Sequence, residues 1–248
     1  MHALHAFLLF RLLGFLGGNA DVRGITNGEE ALDGSMLYMA SLQNNRGHTC
    51  GGFLIRDNIV VSAAQCYNAD LTHVVLGTHD LKSVDNGNIR SIEKTYIHPS
   101  YEDVGKGSDI MLLKLSGNVE LNKTVNTISL PTPELNMEGN CQVAGWGYNN
   151  GRQLVDKLRV VNVSIINHKV CENQWPALPA NVICAGGYGT DKGFCQGDSG
   201  GPLVCNGKAV GVVSFNYNGN CDYPNQPNIY TEVSKYLDWI KCILMCYE

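Results

Sequence analysis

Residues 193 to 205 read Gly-Phe-Cys-Gln-Gly-Asp-Ser-Gly-Gly-Pro-Leu-Val-Cys, a run that few backbones can accommodate. Glycines Gly197, Gly200 and Gly201 around Ser199 permit a turn too sharp for side chains and let another chain approach closely. In such a turn the N–H groups of Gly197 and Ser199 can converge on one point, as donors do where charge develops on an attacked carbonyl. Cys195 and Cys205 bracket the turn, and Leu203-Val204 opens a strand able to anchor it. A serine held this way is a candidate nucleophile. A glycine-rich hairpin that contains a serine by chance does not account for Gly-Asp-Ser-Gly-Gly-Pro-Leu in unbroken succession.

That heptapeptide resembles the nucleophile motif of the trypsin/chymotrypsin-like serine proteases (peptidase family S1), and the resemblance covers nearly the whole chain. It implies an all-β fold of two packed six-stranded antiparallel β-barrels with a C-terminal α-helix. It also implies a mature N-terminus, a histidine in Ala-Ala-His-Cys and an aspartate before a strand. Ser108-Asp109-Ile110-Met111-Leu112-Leu113 supplies the aspartate, Asp109. Ile25-Thr26-Asn27-Gly28 is similar to the mature N-terminus of the family, whose ammonium pairs with the aspartate at Asp198 and orders the oxyanion hole of Gly197 and Ser199. Two buried charges are tolerated only when they find each other, so such a pair works as a switch. The third landmark is broken: Ala63-Ala64-Gln65-Cys66 carries Gln65 where the family has its general base.

An imidazole takes a proton near neutral pH, and a carboxamide does not. In a comparable triad, loss of the histidine alone costs roughly a million-fold in turnover. The remaining oxyanion hole and binding retain roughly a thousand- to ten-thousand-fold over water. The sequence therefore reads as a serine protease homologue that acts by binding a protein or peptide. The alternative is an active endopeptidase of non-tryptic, chymase- or granzyme-like preference, since one nucleotide separates histidine and glutamine codons. By resemblance the substrate pocket has Gly193 as its floor, with no acid to attract arginine or lysine. Its walls come from Phe194, Gln196, Ser214, Phe215, Asn216 and Asn228, the two asparagines standing where many relatives have glycine.

Tyr38-Met39-Ala40 resembles a strand of the granzyme/mast-cell protease branch, and the Gly24–Ile25 bond resembles the short activation peptides of granule-stored relatives. Residues 1–20 read as a signal peptide, with apolar residues from Leu4 to Gly17 and small residues near Ala20; residues 21–24 would then be the activation peptide. The remaining 25–248 divide into a first barrel (25–128), a second (129–232) and a helix (233–247). Val233, Leu237, Ile240 and Leu244 give that helix a stripe for packing on the second barrel. No later run is long and apolar enough to cross a bilayer.

Short strand-like runs at 37–43, 48–55, 59–66, 73–77, 89–97, 110–115 and 158–166 alternate with Gly, Asn, Asp and Pro, and the 28 glycines suit that many turns. Ten cysteines point to an oxidising compartment, secreted or granular. The residues alone permit many pairings; the resemblance implies Cys50–Cys66, Cys141–Cys205, Cys171–Cys184 and Cys195–Cys221. Cys242 and Cys246 are left over, as free thiols or for an intermolecular bond. Asn122-Lys-Thr and Asn162-Val-Ser are glycosylation sequons. A net charge of −5 argues against a nucleic-acid partner. Thr78 and Asn88 stand where trypsins bind calcium through glutamates, so neither a metal nor a cofactor is expected. His48 reads as a structural residue near the switch.

Overall fold

A computed structural model describes residues 25–132, 140–149, 153–223 and 225–246. The leader and activation peptide expected at 1–24 lie outside the described residues. A two-residue strand β1 (Glu29–Glu30) precedes β2 (Met39–Asn44), β3 (Gly47–Arg56), β4 (Ile59–Ser62), β5 (His73–Leu76), β6 (Ile89–Ile97) and β7 (Met111–Leu115). The second half supplies β8 (Asn140–Gly145), β9 (Arg159–Ser164), α1 (His168–Gln174), β10 (Val182–Ala185), β11 (Pro202–Cys205), β12 (Lys208–Phe215), β13 (Asn228–Glu232) and α2 (Leu237–Cys246).

Strands β2 to β7 close a six-stranded antiparallel barrel in the order β2-β3-β4-β7-β6-β5, with Ala40 opposite Leu76 at the closure. Phe53, Leu54, Val60, Ile110, Leu112 and Leu115 of this half belong to one buried apolar cluster that covers the barrel strands on both faces. All four residues of β4 are buried, which is why Ile-Val-Val there does not alternate with polar residues. The second half forms a sheet ordered β1-β9-β8-β11-β12-β13-β10. Backbone bonds from Ile166 N to Cys184 O (2.8 Å) and Gly186 N to Ser164 O (3.1 Å) join β10 back to the end of β9 and roll the sheet round its own core. Val143, Val161, Leu203, Val213 and Tyr230 meet inside it, together with Ile25. The all-β architecture expected from the sequence is thus present, and all four expected disulfides form.

Three local expectations change. The run 59–66 is not one strand: β4 stops at Ser62 and a 3-10 turn spans Ala64–Ala69, because Gln65 is drawn by its backbone toward Asp109. The segment starting at Ile25 does not join the first barrel, since Glu29 pairs with Val160 in the second sheet. The C-terminal helix follows a 3-10 turn (Val233–Tyr236) and returns to the first barrel: Tyr236, Leu237, Ile240, Ile243 and Leu244 pack into the cluster that holds Ile59 and Tyr96. The apolar stripe was legible, but a stripe does not say which surface it covers.

Candidate active site

The Ser199 turn is fastened to both barrels. Gly51 N of β3 donates to Ser199 O (2.8 Å), while Gly200 N donates to Val213 O of β12 (2.8 Å). Gly200 has φ 87°, and a Cβ there would sit 2.9 Å from Ala63 N, so the turn has no room for a side chain. Gln196 O accepts from Tyr148 N at 2.7 Å. Because the carbonyl and N–H of a trans peptide point opposite ways, that bond fixes the direction of the Gly197 N–H. Among the described residues, neither the Gly197 N–H nor the Ser199 N–H is spent on another protein group. This leaves a pair of oriented, unused donors beside the serine.

His48 holds the next peptide unit, Gly197–Asp198. Its Nε2 lies 2.9 Å from Gly197 O and its Nδ1 2.8 Å from Ser41 Oγ. A carbonyl only accepts, so Nε2 carries the proton and Nδ1 accepts from the serine hydroxyl. Burial drives the imidazole down to about 4, against the opposing pull of the Gly197 carbonyl, so it is neutral at physiological pH. His48 therefore positions the turn.

Asp198 is fully buried. Its carboxylate accepts from Gly147 N (2.7 Å) and Cys195 N (2.9 Å), yet burial pushes its pKa up to about 7. A Cβ at Gly147 would fall 2.5 Å from the Asp198 carboxyl carbon, and one at Gly145 2.9 Å from it. The two glycines of Gly145-Trp146-Gly147 exist to let this carboxylate in. Ile25 is also fully buried, among the side chains of the second core, at φ 42°.

Asp109 and Gln65 are in direct contact. Gln65 N donates to Asp109 Oδ1 (2.8 Å), and Gln65 Nε2 donates to both Asp109 Oδ2 (2.7 Å) and Ser214 O (2.7 Å). Ser214 Oγ donates to Asp109 Oδ2 (2.6 Å), and Thr231 Oγ1 to Asp109 O (2.9 Å). Both neighbours of the Gln65 amide are acceptors, so its nitrogen must face them, and both of its N–H bonds are used. Burial raises the Asp109 pKa; the bonds from Ser214 and Gln65 oppose that rise. No hydrogen bond links the Ser199 hydroxyl to Gln65 among the described residues. The site thus has a serine in a fixed turn, two free donors and a satisfied Asp109 carboxylate; the Asp198 carboxylate is turned to Gly147 N and Cys195 N, and among the described residues no base is hydrogen-bonded to the Ser199 hydroxyl.

The pocket residues divide. Gly193 and Asn228 are buried together, and Asn228 is 1 % exposed. The Phe194 ring turns into the second core, edge-on to Tyr230 at 5.2 Å. Phe215 stands edge-on to Trp175 at 5.3 Å, Gln196 Nε2 reaches Gly219 O (2.5 Å) and Asn216 Nδ2 reaches Asn220 O (3.3 Å). A groove of about 550 Å³ runs between Tyr148, Gln196 and the 218–222 segment. Sequence reasoning missed Tyr223, which is 8 % exposed and donates from its hydroxyl to Phe194 O. It sits in an irregular loop with no periodic signal to direct it inward. Sequon residues Asn122 and Asn162 are exposed.

The family model described as Trypsin matches residues 25–240. Trypsin-3 of Salmo salar is 41 % identical over 221 residues, covering 87 % of this chain and 91 % of that protein. Trypsin of Xenopus laevis is 39 % identical over 239 residues (95 % and 97 %), and Serine protease 1 of Homo sapiens 38 % over 222 residues (88 % and 88 %).

Proposed function

Because the chain belongs to the trypsin family of serine-protease domains, we propose that it is a secreted member that has lost proton transfer and acts by binding a protein or peptide. One observation carries this reading: the side chain at position 65 gives both amide hydrogens to Asp109 and Ser214 and offers no base to Ser199. In this reading Ser199, Asp109 and Gln65 are a triad with its middle member silenced, and Ile25 and Asp198 are the activation pair. The four disulfides suit an oxidising compartment. No helix among the described residues is long and apolar enough to cross a membrane. Assignment to the granzyme/mast-cell branch rests on Tyr38-Met39-Ala40 and the Gly24–Ile25 bond, whereas the relatives named above include trypsins.

The second reading, an active endopeptidase of non-tryptic preference, is favoured by the unused Gly197 and Ser199 N–H groups, which a decayed site would have no reason to keep oriented. A labelling experiment separates the two. The natural protein, cleaved to free Ile25, is expected to leave an organophosphonate probe unreacted at Ser199; rapid stoichiometric labelling would establish the second reading.

The partner proposal extends to a disulfide with another chain. Cys242 and Cys246 are exposed one turn apart on α2, their sulfurs 3.8 Å from each other. Non-reducing electrophoresis is expected to show a covalent dimer that Cys242→Ser/Cys246→Ser abolishes. A purely monomeric natural protein would overturn it.

A further inference from the structure

Gly193 lies on a slot that is already filled. A Cβ built on it would meet the Tyr223 hydroxyl oxygen at 2.6 Å and Tyr223 Cζ at 2.8 Å, with Asn228 Nδ2 nearer still. Both side chains are buried, and the phenol end of Tyr223 points inward, donating to the Phe194 carbonyl. Tyr223 does this from φ 46°, a left-handed backbone that is unfavourable for an aromatic residue and persists only when its surroundings enforce it. The Asn228 carboxamide, 1 % exposed, lies beside the phenol in the same slot.

We propose that Tyr223 is an internal occupant of the side-chain slot above Gly193: a phenol from the chain's own 221–223 segment fills the position that a ligand's side chain would take. The inference rests on the pocket assignment proposed above. It makes Tyr223 a specificity-determining residue, since a partner that inserts no side chain here is accepted and one that must insert is refused. The slot's chemistry also defines what would replace the plug. The Phe194 carbonyl needs a donor, and the floor carries no side-chain acid. A neutral phenol fits those terms, and toluene lacks the hydroxyl.

The test leaves Gln65 unchanged and reads no chemistry at Ser199, so its outcome is separate from the question of activity. By calorimetry or ligand-observed NMR, Tyr223→Ala is expected to bind p-cresol at least tenfold more tightly than the natural protein, and p-cresol more tightly than toluene. Equal binding of p-cresol by both proteins, or no preference for p-cresol over toluene in the variant, would overturn the proposal. A second measurement needs no variant. In limited tyrosine iodination followed by peptide mapping, Tyr223 is expected to stay unmodified while Tyr67 and Tyr217, 54 % and 40 % exposed, react. Modification of Tyr223 at the rate of those two would overturn it equally.

Discussion

Replacing Gln65→His is expected to raise the rate at which an organophosphonate labels Ser199 by several powers of ten. The surroundings already suit an imidazole. Asp109 Oδ2 accepts an N–H from residue 65 at 2.7 Å, the bond that orients a histidine in a triad, and Ser214 Oγ and Gln65 N keep that carboxylate in place. With one ring nitrogen so occupied, the other is left for the Ser199 hydroxyl. The unused N–H groups of Gly197 and Ser199 wait for the developing negative charge. A million-fold loss corresponds to ~8 kcal/mol, and a correctly seated base should recover several of these. Labelling is expected to recover before peptide hydrolysis, because the probe needs little of the slot that Tyr223 and Asn228 fill. The natural protein and the variant are compared with Ile25 free. If neither protein is labelled, a second defect lies in the site beyond the missing base; equal, rapid labelling of both would overturn the proposal that the natural protein has lost proton transfer.

The sequence made the site legible wherever chemistry demands a particular residue in a particular local order. Ser199 with its glycines and Asp109 ahead of an apolar strand are of this kind, as is the absence at Gln65. The structure supplies the reasons, such as the carboxylate of Asp198 lying where a Cβ at Gly147 would be. What the sequence could not show depends on contacts between distant segments. Nothing local says that the stripe of α2 covers Ile59 and Tyr96, that the Phe194 ring turns inward, or that Tyr223 reaches 29 residues back to the Phe194 carbonyl. Local order records backbone and periodicity; it leaves no trace of which surface an apolar side chain will meet.

The activation pair proposed for Ile25 and Asp198 can be tested through stability against pH, since two buried titratable groups at the Ser199 turn, His48 and Asp198, pull in opposite directions. The folded state holds His48 at about 4 against an ordinary 6.5, so between those values only the unfolded chain carries its proton, and stability rises with pH. It holds Asp198 at about 7 against an ordinary 3.8, so in that window only the folded state keeps the carboxyl proton, and stability falls as pH rises. The two contributions amount to about 3 and about 4 kcal/mol and nearly cancel between pH 4 and 6.5. In the uncleaved chain, Asp198→Asn is therefore expected to gain a positive slope of about 1.4 kcal/mol per pH unit relative to the natural protein, and His48→Gln an equal negative one. Asp109, whose raised carboxyl adds to the falling side, is common to all forms and drops out of the differences. Freeing Ile25 decides the switch. If its ammonium pairs with Asp198, both groups stay charged through this window, the carboxylate contribution vanishes, and the cleaved protein alone acquires the positive slope of the Asp198→Asn variant. Denaturant unfolding of the cleaved and uncleaved proteins at pH 4.5, 5.5 and 6.5 measures this directly, and identical slopes for the two forms would mean that Ile25 and Asp198 do not form an ion pair.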